Sequence, residues 1–274
     1  MKREADLARR LHSLRALGEA IGAMKSLSAH HFRATRAAVE PARAYRDGVE
    51  RIVGWSGASL AAGNGAAGLV VIGSELGLCG GYNARLVAAA AARRRELGDG
   101  PTLCVGRRAA ALLGRRGVAV TSSFGGPSSV DGITAVLLEL AEEMLTLYAT
   151  DDLASFDIVS SRFAGVGTAS PEAVRLLPIT ARGAGGRRRA RYVDSEQLIS
   201  SVIREHLYIT LFELLLDALA SEHGARLAAT QSAESWLDER IERLQRQLMA
   251  NRRETSTQEV IEIASGARNR GRRP

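Results

Sequence analysis

The sequence predicts an α/β protein in which two long terminal helices wind together as a coiled coil around a small parallel-sheet α/β domain. Three patterns carry that expectation. Leu7, Leu11, Leu14, Leu17, Ile21, Met24 and Leu27 recur in steps of three and four near the N-terminus, and Leu237, Ile241, Leu244 and Leu248 do the same near the C-terminus. Between them, short apolar runs alternate with helical stretches.

The expected divisions are an N-terminal helix over 1–53, an α/β domain over 54–181, a linker over 182–193 and a C-terminal helix over 194–274. In the first helix the three-and-four spacing places the apolar residues on one stripe. Gly18 and Gly22 each cost roughly 1 kcal/mol of helix propensity relative to Ala, so the helix depends on a partner. Pro41 is read as a kink or a boundary.

In the middle region, strands are expected at 69–72, 102–105, 118–120, 156–160 and 174–179, with helices over 83–97, 107–116 and 131–148. Such alternation predicts a mainly parallel sheet covered by helices. The glycines and arginines of 182–191 read as linker. The C-terminal seam has a heptad-like period, with Glu239–Arg243 and Glu242–Arg246 as expected i,i+4 pairs on its outer face. A helix of about 70 residues spans about 105 Å, so it needs a companion, and the N-terminal helix is the unpaired candidate.

Composition narrows the function classes. The chain has 274 residues, 46% of them hydrophobic but only 4% aromatic, which suits helices packed through aliphatic seams. Its net charge of +7 sets 37 basic against 30 acidic residues, and a solvated helical surface accounts for it better than a nucleic-acid partner does. Cys79 and Cys104 lie in apolar runs without metal-like spacing and read as buried free thiols. No secretory signal is recognisable, and the longest apolar run, 207–220, is broken by Glu213 and Asp217, so no membrane span is expected.

The loop after the first strand, Ser74-Glu75-Leu76-Gly77-Leu78-Cys79-Gly80-Gly81-Tyr82-Asn83, is the one stretch that invites a ligand. Backbone amides there could cradle a phosphate. Yet Gly77, Gly80 and Gly81 lack dinucleotide spacing, and no Lys-Ser/Thr pair follows. The histidines (His12, His30, His31, His206, His223) have no chelating spacing, and no nucleophile elbow exists. Glu142-Glu143 and Asp151-Asp152 read as helix surface and loop. Arg93-Arg94-Arg95, Arg107-Arg108 and Arg187-Arg188-Arg189 lack interleaved aromatics and read as solvated faces or contacts to acidic proteins. No catalytic residue, metal or cofactor is expected.

Three stretches resemble the gamma subunit of F-type ATP synthases. Ile21-Gly22-Ala23-Met24-Lys25 is similar to that family's AMK segment, and Gly77-Leu78-Cys79-Gly80-Gly81-Tyr82-Asn83 to its GLCGG-x-N signature. The third stretch begins with Ala220-Ser221-Glu222-His223-Gly224-Ala225-Arg226-Leu227 and closes with Thr257-Gln258-Glu259-Val260-Ile261-Glu262-Ile263-Ala264-Ser265-Gly266-Ala267. The resemblance implies an antiparallel N/C coiled coil bearing an α/β domain. It further implies a rotor shaft that couples ion flow through a membrane ring to ATP chemistry in the beta subunits. Implied partners are the alpha and beta subunits, the epsilon subunit and the c-ring, with no nucleic acid. The implied location is the cytoplasmic face of a bacterial inner membrane, peripheral through the complex.

The residues that match the family's partner contacts are Met24, Lys25, Arg226, Arg252, Thr257, Gln258 and Glu259. Those that match its α/β-domain loop are Gly77, Cys79, Gly80, Gly81 and Asn83. The chain departs from the family at Glu75-Leu76, where Asp-Arg is usual, at residues 26–31, and at Arg253-Glu254-Thr255-Ser256. These departures imply a divergent member, with an alternative, sodium-linked ATPase as one possibility. The competing reading is a nucleotide- or small-molecule-binding α/β enzyme with helical oligomerisation arms. A nucleic-acid-binding coiled coil is the third.

Overall fold

The computed structural model of the chain describes residues 2–180 and 194–270. Helix α1 covers Lys2–Ser56 and helix α5 covers Ser195–Arg270. Between them lie β1 (Ala67–Ile72), α2 (Tyr82–Leu97), β2 (Thr102–Val105), α3 (Arg107–Arg115), β3 (Ser122–Phe124), α4 (Ile133–Thr150), β4 (Ser155–Gly165) and β5 (Thr168–Leu177). The expected linker at 182–193, with its arginine cluster, falls outside the described residues.

The chain divides into two compact units, one formed by the residues up to Ser26 with those from Thr230 on, the other by Leu27–Ala229. In the first unit, Leu11, Leu244 and Leu248 bury one another, flanked by Leu7, Leu14 and Ile241. Arg252 Nε donates to Glu4 Oε1 at 2.7 Å, and Lys25 Nζ to Glu234 Oε2 at 2.5 Å. Partner numbers on one helix fall as they rise on the other, so the pair is antiparallel. Glu239–Arg243 and Glu242–Arg246 form their pairs on the outer face, at 2.9 and 3.6 Å.

The N-terminal stripe differs from the simple reading. Leu17 and Leu27 are 48% and 52% exposed, and the buried line passes instead through Ile21, Ser28, Phe32, Thr35, Val39 and Ala42. Two small polar residues on that line hid it, because a stripe read from apolar residues alone stops where Ser28 and Thr35 begin. Pro41 neither ends nor divides α1, which continues through it to Ser56. One missing N–H is tolerable in a helix held by such a long buried face.

In the second unit a five-stranded sheet has the order β3-β2-β1-β4-β5. The first four strands run parallel, and β5 pairs antiparallel with β4 in a hairpin. Strand alternation gives each face its own cover. Leu69, Val71, Cys104 and Val159 pack on α2 and α3 through Leu86, Val87, Ala90, Ala109 and Leu113. Val70, Ile72, Leu103, Val105 and Ile158 face the other way, where α4 packs through Ile133, Leu137, Leu140 and Met144 beside residues of α1 and α5.

The third strand sits at 122–124 rather than 118–120, because Val118 and Val120 pack into the cluster under α2 and α3 before the chain reaches the sheet edge. The fifth strand is longer than expected and antiparallel, since a hairpin from β4 needs no crossover. Gly106 opens α3 at φ +97°, where a side chain would meet the carbonyl oxygens of Gly73 and Ser74.

Candidate functional site

In an open parallel sheet, ligands bind beyond the carboxyl ends of the strands, where the strand order reverses. Here the chain runs from β1 to β2 to β3 and then returns to β4 on the far side of β1, so the reversal lies between β1 and β4. The glycine-rich loop leaves β1 at that point.

Residues of α5 occupy this crevice. Tyr82 donates its hydroxyl to the carbonyl of Ala218 at 3.2 Å, and Ser221 donates to the carbonyl of Ser161 at 3.2 Å. Arg226, only 2% exposed, donates from Nε to Gly77 O at 3.0 Å and from Nη2 to Leu76 O at 3.3 Å. The same Nη2 pairs with Glu222. Burial raises the Glu222 carboxyl above its ordinary range, and the Arg226 guanidinium opposes that rise. At these points the loop offers carbonyls to a cation rather than amides to an anion.

Every quoted residue of the loop has a local task. Asn83 Oδ1 accepts from Ser74 N at 3.1 Å while its Nδ2 donates to Ser74 Oγ at 2.6 Å, closing the loop on itself. Cys79 Sγ lies 3.4 Å from Asn83 Nδ2, its thiol buried and free. Gly80 turns at φ +54°, and Gly81 accepts from Arg85 N at 3.1 Å as α2 begins.

Glu75, where the family resemblance departs, gathers three segments. Its Oε2 accepts from Arg107 N at 3.1 Å and from Gly126 N at 3.0 Å, and Arg107 Nε pairs with Oε1. Burial alone would raise this carboxyl, but those two N–H groups and the Arg107 side chain bring it below its ordinary range. A glutamate therefore holds these loops together through one carboxylate.

In the first arginine cluster Arg93 and Arg94 turn inward, against the expectation of a solvated face, whereas Arg95, Arg107 and Arg108 are exposed. Arg93 Nε donates to the buried Asp157 at 2.8 Å, and Arg175 Nε reaches its other oxygen at 2.9 Å. Arg94 donates to the carbonyls of Gly98 and Ala67, each at 2.8 Å. Composition gave no signal for this, since an arginine's acceptor is set by tertiary neighbours. His31 stacks on the buried His223 with ring centroids 5.3 Å apart, a pairing of α1 with α5 that sequence spacing could not reveal.

The remaining quoted residues lie on the paired helices. Met24 and Lys25 are half-buried, whereas Arg252, Thr257, Gln258 and Glu259 are exposed. Thr257 Oγ1 donates to Arg253 O at 2.8 Å and Gln258 Nε2 to Glu262 Oε1 at 3.4 Å, both within α5. Beside them Val260 and Ile263 are 64% and 73% exposed. Among the described residues, no group of three or more metal-binding side chains occurs, and no helix is long and apolar enough to cross a membrane.

Comparison with known proteins agrees with this arrangement. The sequence model of the ATP synthase family matches residues 3–269. The ATP synthase gamma chain of Moorella thermoacetica is 32% identical over 274 residues, covering 96% of this chain and 97% of its own. That of Geotalea daltonii is 30% identical over 279 residues, covering 95% and 96%. Among solved structures, a chain of the Euglena gracilis mitochondrial ATP synthase (OSCP/F1/c-ring, rotational state 3) superposes with a TM-score of 0.71 at 13% identity, covering 100% of this chain and 97% of that one. A chain of the Tetrahymena thermophila central stalk and c-ring gives 0.62 at 20% identity, covering 78% and 98%. At those identities the likeness establishes the fold. With the family model spanning nearly the whole sequence, the chain belongs to the ATP synthase family and, within it, to the gamma chains, the non-catalytic rotor subunits of the F-type complex.

Proposed function

We propose that this gamma chain is the shaft that links ion flow through a membrane ring to ATP synthesis or hydrolysis in the beta subunits. The observation that carries the reading is the filled crevice. Residues 218–226 of α5 stand where an α/β enzyme would hold its ligand, so the sheet serves as a mount for the helices. That arrangement disfavours the small-molecule enzyme, whose site would have to displace Arg226 from two carbonyls and a carboxylate.

The partners in this reading are the alpha and beta subunits around the paired helices, with epsilon and the c-ring at the α/β domain. Arg252, Thr257, Gln258 and Glu259 are the proposed contacts to the surrounding ring. Their exposure, beside exposed Val260 and Ile263, supports that role. Met24 and Lys25 are proposed at a beta subunit, where an approaching carboxylate would compete with Glu234 for the Lys25 ammonium. Arg226, by contrast, is buried and donates to the carbonyls of Gly77 and Leu76, so its part in any partner contact would pass through the loop it holds. The proposed location is the cytoplasmic face of a bacterial membrane, held there by the complex. A shaft without threefold symmetry touches three chemically identical catalytic sites differently, which makes their affinities diverge as it turns.

Three measurements test the reading. Truncation after Asn251 should abolish coupled ATP synthesis, and the full chain should copurify with alpha and beta subunits. Wild-type coupling after truncation would refute the shaft. Calorimetry of the full chain with ATP and ADP should show no stoichiometric tight binding, and such binding would favour the enzyme.

A further inference from the structure

We infer that Arg43 and Arg46 on α1, with Glu213 and Asp217 on α5, form a register lock that makes the sheet and the helix segments packed against it turn together. The inference rests on the shaft reading above. Glu213 and Asp217 interrupt an otherwise largely apolar stretch, and their side chains are only 3% and 5% exposed. Arg43 Nη2 lies 2.8 and 2.9 Å from the two oxygens of Asp217 and 3.3 Å from the carbonyl of Phe163 on β4. Its Nε is 3.5 Å from Glu213 Oε1, while Arg46 Nη1 is 2.5 Å from Glu213 Oε2. One guanidinium thus joins both carboxylates and the sheet hairpin. The Phe163 ring also meets Phe32 of α1 edge-on, with centroids 5.6 Å apart.

The physical case turns on directionality. Apolar seams hold helices together without fixing how one turns against the other, since burial is non-directional. A one-residue slip of α5 moves a side chain by about 100° and 1.5 Å. An aliphatic seam can repack after such a slip, but Glu213 and Asp217 would lose their partners while staying buried. Unpaired charges there are costly. Torque applied to either helix therefore reaches the sheet without slippage. Stability alone does not explain the cluster, because well-packed apolar residues often replace a buried ion pair at no loss.

The test uses the assembled complex in sealed vesicles, with ATP hydrolysis and ion uptake (proton or sodium) measured together. The fourfold apolar variant Arg43→Met, Arg46→Met, Glu213→Leu and Asp217→Leu should melt no lower than wild type, assemble and hydrolyse ATP. Its ion uptake per ATP should fall about threefold or more as the register loosens. A wild-type ratio in this variant overturns the lock. If it fails to assemble, a charge exchange decides. Asp217→Arg should lower the ratio and adding Arg43→Asp should restore it, whereas a double variant no better than the single overturns the lock. If the unaltered chain does not assemble with alpha and beta subunits, the shaft reading falls and the lock with it.

Discussion

Arg226 Nε donates to the backbone carbonyl of Gly77 across 3.0 Å, tying α5 to a loop 149 positions earlier in the chain. The same guanidinium holds Leu76 O and Glu222. Replacing Arg226 by Ala leaves a buried carboxylate and two carbonyls without that donor, and should cost about 3 kcal/mol or more. Urea unfolding of the isolated chain checks this. Arg226→Lys should recover only part of the loss, since an ammonium cannot present the planar fork. A loss below about 1 kcal/mol for Arg226→Ala would contradict this anchoring role.

Gly106 is fixed by backbone geometry. At φ +97° a Cβ would sit 2.6 Å from the carbonyl oxygens of both Gly73 and Ser74. Gly106→Ala should destabilise the chain by about 2 kcal/mol or more, through strain and displacement of the β1 loop. Thermal melting beside the control Gly114→Ala, where a Cβ meets nothing within 4 Å, isolates the effect.

His223 should make stability depend on acid. Burial first, then the neighbouring Arg226 and His31, lower its pKa to about 4, from 6.5. The folded chain thus binds fewer protons than the unfolded chain between those values. The stabilisation is complete above about pH 6.5 and is lost progressively down to about pH 4, up to about 3 kcal/mol in all. Urea midpoints at pH 7 and pH 5 should differ less in His223→Leu than in wild type. Equal pH dependence in the two proteins would disprove this assignment.

Cys104 is sealed in the sheet. It is fully buried, and burial pushes its thiol up to about 12. At pH 8 a thiol reagent should leave it unmodified in the native chain and label it promptly in denaturant, as mass mapping of the labelled peptide can report. Rapid native labelling would show that the sheet opens far more readily than its packing implies.

Much of the fold was legible before any coordinates. The heptad-like seam of Leu237, Ile241, Leu244 and Leu248 and the apolar runs of β1, β2 and β4 follow from local pattern, which one stretch of chain displays by itself. Elsewhere the local signal misled. Val118 and Val120 are strand-like residues, yet they pack into the cluster under α2 and α3. The buried line of α1 runs through Ser28 and Thr35, which no hydrophobic pattern would select.

The candidate site divides the same way. The glycine-rich loop was visible from its residue types, and the helix ends through their resemblance to gamma-subunit motifs. That the loop presents carbonyls to Arg226 was not, since acceptor and donor stand 149 positions apart. By itself the sequence determined that long amphipathic helices flank an α/β domain, because periodicity is a local property. Only the tertiary structure decided that α5 fills the crevice between β1 and β4 and that Arg43 meets Asp217. Those contacts join segments distant in the chain, and a charge's partner is chosen by where the folded backbone brings the two together.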